Sequence, residues 1–136
     1  TSIPSIITKI RDIIKTSLVD LSNTEHRLLM LEILFRCALL GWTCRPFGIS
    51  SRWEDARAAE CFKLGALESK KGMVFSSPDN SSDLYCRAKS AIDILTTQSI
   101  PLFDALTLIF VELKVCSDMA KENLASWNAE AISCDK

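Results

Sequence analysis

The residues best suited to nucleophilic or metal chemistry are one histidine and six cysteines in a chain of 136 residues. His26 stands beside Glu25 in the first turn of a predicted helix, and no cysteine or acid lies at a motif spacing from it. We therefore interpret His26 as a solvated residue near a helix start, not as a general base or a metal ligand. Phosphate-binding loops, nucleophile elbows and zinc motifs are absent from the sequence. The sequence predicts no catalytic residue, no metal, no cofactor and no enzyme.

The cysteines are widely and irregularly spaced, and no two of them form a CxxC pair. A chain of this length can bury a core without cross-links, so free thiols in a reducing compartment are the favoured interpretation. This favours an intracellular protein, either cytoplasmic or nuclear. A disulfide framework and a structural zinc site stay open as alternatives. The residues concerned are Cys37, Cys44, Cys61, Cys86, Cys116 and Cys134.

One short segment combines large aromatic rings with arginines, and we call residues 42–57 the aromatic–arginine segment. Such a composition is typical of protein-interface hot spots, and it also suits stacking on unpaired bases. The alternative is structural: the two tryptophans lock neighbouring helices together while the arginines stay in water. If the segment is a binding surface, at least one ring should be exposed. The candidate partner-binding residues are Trp42, Arg45, Phe47, Arg52, Trp53 and Arg57.

The near balance of basic and acidic residues disfavours a nucleic acid as the partner. Sixteen Lys and Arg balance seventeen Asp and Glu, and residues 43–90 carry only eight basic against six acidic residues. That excess is small for a nucleic-acid footprint. The sequence therefore predicts a non-catalytic helical protein–protein interaction domain, an adaptor or an assembly- or replication-associated module, with self-association as one form. The alternative is an RNA- or DNA-binding helical domain that uses residues 45–71; a third is a small enzyme or ligand carrier. No membrane partner is expected.

Apolar residues recur at three- and four-residue steps through most of the chain, which predicts an all-α fold. Four glycines and four prolines leave little material for hairpin turns. We expect a single domain, residues 1–136, built as an irregular bundle of about five helices with a long loop near residues 66–80. The first and third predicted helices cover about residues 4–20 and 52–64, and the second runs from a cap at Ser22 to a stop at Gly41. The fourth predicted helix is capped by Ser81 or Ser82 and carries apolar residues up to position 95. The fifth opens at residues 99–101 and continues towards residue 127 or beyond.

Local signals refine these boundaries. Ser22 and Glu25 match a capping box, Gly41 is expected to end the second helix in a left-handed conformation, and Gly65 to stop the third. The second helix is apolar on almost every side, which predicts the most buried element of the domain. Residues 73–75 are three consecutive apolar residues, here called the apolar bead. We expect their side chains to be buried and so to hold the long loop against the rest of the domain. The longest apolar stretch, residues 102–111, is too short to span a membrane.

Overall fold

The computed structural model of the chain describes residues 2–16, 19–74, 76 and 84–134. These ranges contain helices and turns but no strand, so the prediction of an all-α fold is confirmed. No helix within them has the length and the apolar character needed to cross a bilayer. The helices are α1 (Ile3–Thr16), α2 (Thr24–Leu40), α3 (Phe47–Lys70), α4 (Leu84–Ile94), α5 (Ile100–Leu106) and α6 (Lys114–Cys134).

The start of α2 is capped by Asn23 and not by Ser22. The Asn23 side-chain oxygen accepts a hydrogen bond from the Glu25 backbone N–H at 2.8 Å, which satisfies one of the free donors at a helix start. The Ser22 hydroxyl donates to the Asp20 carboxylate instead. At the other end, Gly41 has a φ of −60° and begins a 3₁₀ turn, so the predicted left-handed ending is wrong.

Helix α3 is longer than predicted in both directions. It begins at Phe47, directly after Pro46, and continues through Gly65 to Lys70. A single glycine costs a helix only about 1 kcal/mol, and the residues after Gly65 are good helix formers. The true turn is at Gly72, whose φ of +64° is the left-handed conformation that glycine favours. The long loop therefore starts later than residue 66.

The predicted apolar bead does not pin the loop. Met73 is 57% exposed and Val74 is 91% exposed, so both side chains point into solvent. The third member of the bead, residue 75, lies outside the described residues. The same holds for the serines at positions 81 and 82, which we expected to cap the fourth helix.

Helices α4 and α5 form one rod, because a π turn, Leu95–Ser99, joins them without breaking the helical backbone. The predicted fifth helix is in fact α5 and α6, separated by a turn and by the short 3₁₀ helix Val111–Leu113. Counting α4 and α5 as one rod, the described ranges contain five rods.

Two apolar clusters hold these rods together. The first core cluster joins α1, α2 and α5 through Ile3, Ile6, Ile10, Leu29, Ile33, Leu40, Leu102, Phe103, Ala105 and Leu106. The second core cluster joins the π turn and α4 to α6 through Ala88, Ala91, Leu95, Ala120 and Trp127. Burial of such side chains is the main stabilising contribution in a domain of this kind.

The prediction that the second helix is the most buried element is wrong. Leu29, Ile33 and Leu40 pack into the first core cluster, but the opposite side of α2 faces solvent. When a helix sequence is apolar on every side, it does not show which face packs against other helices of the same chain. The exposed large residues of α2 are Leu28, Leu31, Leu34, Phe35 and Leu39.

Candidate functional site

A cavity of about 720 Å³ lies where α2, the 3₁₀ turn Gly41–Cys44 and α3 meet. We call it the tryptophan–arginine cavity. Its size is within the range of small-molecule sites in proteins. It is lined by Cys37, Ala38, Leu39, Gly41, Trp42, Arg45, Ile49 and Trp53.

The turn that carries Trp42 and Arg45 is anchored from behind by α6. The buried Asn123 amide donates to the backbone carbonyls of Thr43, at 2.8 Å, and of Arg45, at 2.7 Å. The buried Thr43 hydroxyl donates to the Leu40 carbonyl at 2.7 Å. In a regular helix these carbonyl oxygens would accept hydrogen bonds from backbone N–H groups; in the turn, side chains donate to them instead. The position of the cavity wall is therefore set by contacts on its far side.

The sequence motifs alone do not single out Asn123, although the sequence carries a signal for it. It lies on the buried side of α6 with Ala120 and Trp127, three residues after the one and four before the other. A polar residue on an apolar stripe must find hydrogen-bond partners when it is buried. That signal identifies a buried polar contact, but not the turn that Asn123 would hold.

The lining combines aromatic faces with a cation. Trp53 is 60% exposed, Trp42 is half-buried and Arg45 is exposed. Tryptophan rings stack on flat heteroaromatic groups, and a guanidinium binds phosphate oxygens through two parallel hydrogen bonds. The arrangement can therefore hold a ligand that has a flat ring at one end and an anionic oxygen group at the other.

The other members of the aromatic–arginine segment lie elsewhere. Phe47 packs edge-on against Trp127, with ring centroids 5.2 Å apart. Arg57 pairs with the buried carboxylate of Glu54, and Arg52 is exposed but does not line the cavity. The structure thus brings together three of the six predicted site residues. Partner binding by the whole segment stays a prediction.

A second cavity, of about 550 Å³, contains three thiols. Cys37, Cys44 and Cys116 line it with apolar side chains of α2 and α5. Burial raises the pKa of Cys44 to about 12, and burial together with the nearby Cys116 raises the pKa of Cys37 to about 11. The cysteines that the structure describes in full are unpaired: Cys37, Cys44, Cys61 and Cys116.

These raised pKa values predict slow alkylation. At pH 8 the folded chain should carry about a hundredfold less thiolate at Cys37, and about a thousandfold less at Cys44, than an ordinary thiol. Iodoacetamide labelling followed by peptide mass spectrometry measures this, with the denatured chain as the reference. The free energy of unfolding should fall as the pH rises from about 9 towards 12, because only the unfolded chain then ionises these thiols readily. Equal labelling of Cys44 in both states would contradict the assignment.

His26 lies in a third, more polar cavity of about 530 Å³, together with Lys9, Asp12, Glu25 and Glu32. Its Nδ1 accepts a hydrogen bond from the Asp20 backbone N–H at 3.1 Å, so that nitrogen already has a partner. Across residues 2–16, 19–74, 76 and 84–134, no group of three or more His, Cys, Asp or Glu side chains is placed to hold a metal ion.

The sequence and the fold are similar to those of one group of enzymes. A family model described as 3′5′-cyclic nucleotide phosphodiesterase matches residues 2–120. The human high affinity cGMP-specific 3′,5′-cyclic phosphodiesterase 9A is 29% identical over 91 residues, which are 67% of this chain and 15% of that protein. The 3′,5′-cyclic-AMP phosphodiesterase 4 of Dictyostelium discoideum is 22% identical over 112 residues, 80% of this chain and 10% of that protein.

Among solved structures, the phosphodiesterase domain of the Salpingoeca rosetta rhodopsin phosphodiesterase matches with a TM-score of 0.87 and 25% identity. The match covers 96% of this chain and 40% of that domain's chain. The chain therefore spans less than half of this solved relative and a smaller share of the curated ones.

These matches correct the functional predictions. The prediction of a non-catalytic interaction domain, with nucleic-acid binding as its alternative, is wrong, because the matching family is one of cyclic nucleotide hydrolases. The prediction that the protein is not an enzyme is wrong for the same reason. The sequence contains no phosphate-binding loop, nucleophile elbow or zinc motif that would indicate this family. Its signal lies in similarity spread along residues 2–120.

Proposed function

Because the chain belongs to the 3′5′-cyclic nucleotide phosphodiesterase family, we propose that it acts in the hydrolysis of 3′,5′-cyclic nucleotides. The observation that carries the proposal is the family match over residues 2–120. Relatives are named for cGMP and for cyclic AMP, so the substrate class is a cyclic purine nucleotide. We propose the tryptophan–arginine cavity as the place where this chain contacts it.

Hydrolysis of a cyclic nucleotide sets two requirements for the residues that bind it, namely stabilising charge and orienting the substrate. A water oxygen adds to phosphorus, one of the two ester P–O bonds breaks, and the released sugar oxygen takes a proton. The product is a nucleoside monophosphate. Negative charge on the phosphate oxygens must be stabilised throughout, and the ring system must be held so that phosphorus faces the water.

The cavity residues match the two ends of such a substrate. The rings of Trp53 and Trp42 offer stacking faces for a purine, a contact worth about 1–3 kcal/mol per base. The Arg45 guanidinium lines the same cavity and can bind the cyclic phosphate. Leu39 and Ile49, both partly exposed, add apolar side chains to the same lining.

The test measures binding and turnover by the full 136-residue chain. Isothermal titration with cGMP and with cyclic AMP gives the affinity, and chromatography of the nucleotides in buffer with Mg²⁺ and Mn²⁺ detects the monophosphate. We expect Trp53→Ala to weaken binding of the cyclic nucleotide by at least tenfold and Arg45→Ala by a similar factor.

Two matched controls come from the same helix. Phe62→Ala removes another exposed ring, nine residues further along α3 and thus on its opposite side. Arg52→Ala removes an exposed arginine that does not line the cavity. Neither change should alter affinity by more than about twofold. A chain that neither binds nor converts either nucleotide contradicts the proposed function, and equal losses in the controls contradict the proposed cavity.

We also propose an intracellular, reducing location. The unpaired thiols of Cys37, Cys44, Cys61 and Cys116 support it, because cysteines in oxidising compartments are commonly bridged.

A further inference from the structure

The cavity of about 550 Å³ between α2, α5 and α6 is lined by sulfur atoms from three parts of the chain, and we call it the sulfur cavity. Met30 and Cys37 belong to α2, Cys44 to the 3₁₀ turn and Cys116 to α6. Three thiols and one thioether therefore line a single cavity. Most of the other lining residues are apolar: Ile33, Leu34, Phe103, Leu106, Phe110 and Leu113.

Two of the three thiols form a close pair. The Cys44 and Cys116 thiols are within hydrogen-bonding reach of each other, whereas Cys37 interacts with them only as a neighbouring ionisable group. All three cysteines are free, so no disulfide joins the pair. Two sulfur atoms from distant parts of the sequence can therefore contact one bound species together.

The backbone holds the close pair in position. The Asn123 amide of α6 donates to the carbonyls of Thr43 at 2.8 Å and of Arg45 at 2.7 Å, one on each side of Cys44. The turn that carries Cys44 is thus tied to the helix that carries Cys116. A site built on such fixed elements needs little rearrangement when it binds a ligand.

The kind of donor indicates the kind of ligand. Thiolate and thioether sulfur select soft metal ions, among them Cu(I) and zinc. A structural zinc site has four ligands in a tetrahedron, but the part of the chain that the structure describes places no three His, Cys, Asp or Glu side chains around one point. Cu(I) is satisfied by two sulfur donors in a linear arrangement. The close pair therefore favours Cu(I) over zinc.

We propose that Cys44 and Cys116 bind one Cu(I) ion as a two-thiolate site in the sulfur cavity. Binding replaces two S–H bonds by two Cu–S bonds, both protons leave to solvent, and copper stays in oxidation state I without electron transfer. The bound unit carries one net negative charge, which Arg45 of the same lining offsets and Glu112 opposes. This inference does not depend on the proposed function.

Burial of the thiols limits which cations can compete. Because burial raises the pKa of Cys44 to about 12, a cation must bind thiolate strongly to displace the proton at neutral pH. Mg²⁺ prefers oxygen ligands and does not meet this requirement. An excess of Mg²⁺ should therefore leave the affinity for Cu(I) unchanged.

The test titrates the reduced 136-residue chain with Cu(I) under argon, with bicinchoninate as a competing chromophoric chelator. We expect the tightest site to hold one Cu(I) per chain, and Cys44→Ala and Cys116→Ala each to weaken it by at least a hundredfold. Cys37→Ala should weaken it by less than tenfold. Cys61→Ala is the matched control, because Cys61 is a free, half-buried thiol that does not line the cavity, and its loss should change the affinity by less than twofold.

X-ray absorption of the copper-loaded chain identifies the donor atoms directly. We expect two sulfur donors and no nitrogen donor around the copper. This spectrum needs no variant, so it tests the site even where a substitution disturbs folding. Far-UV circular dichroism of each variant shows whether its fold is intact.

The other outcomes overturn the proposal. A chain that takes up no Cu(I) in competition with the chelator refutes it, as does full affinity in a folded Cys44→Ala or Cys116→Ala variant. Equal losses at Cys61 show binding to thiols in general, and a loss at Cys37 as large as at Cys44 contradicts the two-thiolate site. A Cys44–Cys116 disulfide formed on addition of copper, with no metal retained, also refutes it.

Discussion

Replacing Trp127 by alanine is expected to lower the free energy of unfolding by about 3–5 kcal/mol. Trp127 is fully buried and is the largest side chain of the second core cluster. Phe47 contacts its ring edge-on, and the Arg87 guanidinium lies 5.1 Å from its centroid. The substitution therefore removes apolar contact area, an aromatic pair and a cation–π contact together.

Urea unfolding followed by circular dichroism measures this loss, since the signal does not depend on tryptophan fluorescence. Trp53→Ala is the matched control, because it removes the same side chain from a position that is 60% exposed. Its cost should stay below about 1 kcal/mol. Similar losses for the two variants would show that Trp127 does not organise the second core cluster.

The second large effect is expected at the buried ion pair of α3. The Glu54 side chain is fully buried, and Arg57 binds both of its oxygens, Nε to Oε2 at 2.7 Å and Nη2 to Oε1 at 2.6 Å. Arg57 also donates to the Ser90 hydroxyl on α4. Arg57→Met would leave a carboxylate in the interior without its cation. We expect a loss on the order of 3 kcal/mol, near the lower end for broken buried pairs because Arg57 is partly exposed.

A double-mutant cycle tests this cause directly. Glu54→Leu combined with Arg57→Met removes both charges, and its cost should be smaller than that of Arg57→Met alone, because no buried charge is left unpaired. Chemical denaturation of the four proteins at pH 7 gives the coupling energy. Additive losses would mean that the pair does not act as a unit.

The sequence was most informative where one stripe of residues decides the structure. The isoleucines of α1 and the apolar positions of α4 follow the helical period, and both helices were predicted close to their observed ranges. Errors arose where a local signal is weak compared with its surroundings. Gly65 predicts a helix stop, but the helix penalty of one glycine is smaller than the gain from continuing α3. In the same way, Ser22 matches a capping box, but Asn23, one residue later, caps α2.

Only half of the site residues predicted from the sequence lie together in the structure. Trp42, Arg45 and Trp53 were identified by composition, and they do meet at one cavity. Phe47 and Arg57 have the same composition but contribute to the core and to an ion pair, and only the three-dimensional packing separates them. Asn123 is far from the segment in sequence, so its link to the turn became visible only with the fold.

The π turn Leu95–Ser99 acts as a phase shift between the two halves of its rod. In an unbroken α-helix, Leu102 and Leu106 would return to within about 20° of Leu95. The wider turn accommodates one more residue, which rotates the following helix by about 100°. One rod can therefore supply Leu95 to the second core cluster and Leu102 to the first. Deletion of a single residue from this turn would rotate the buried face of α5 away from α1, although the sequence of α5 itself would be unchanged.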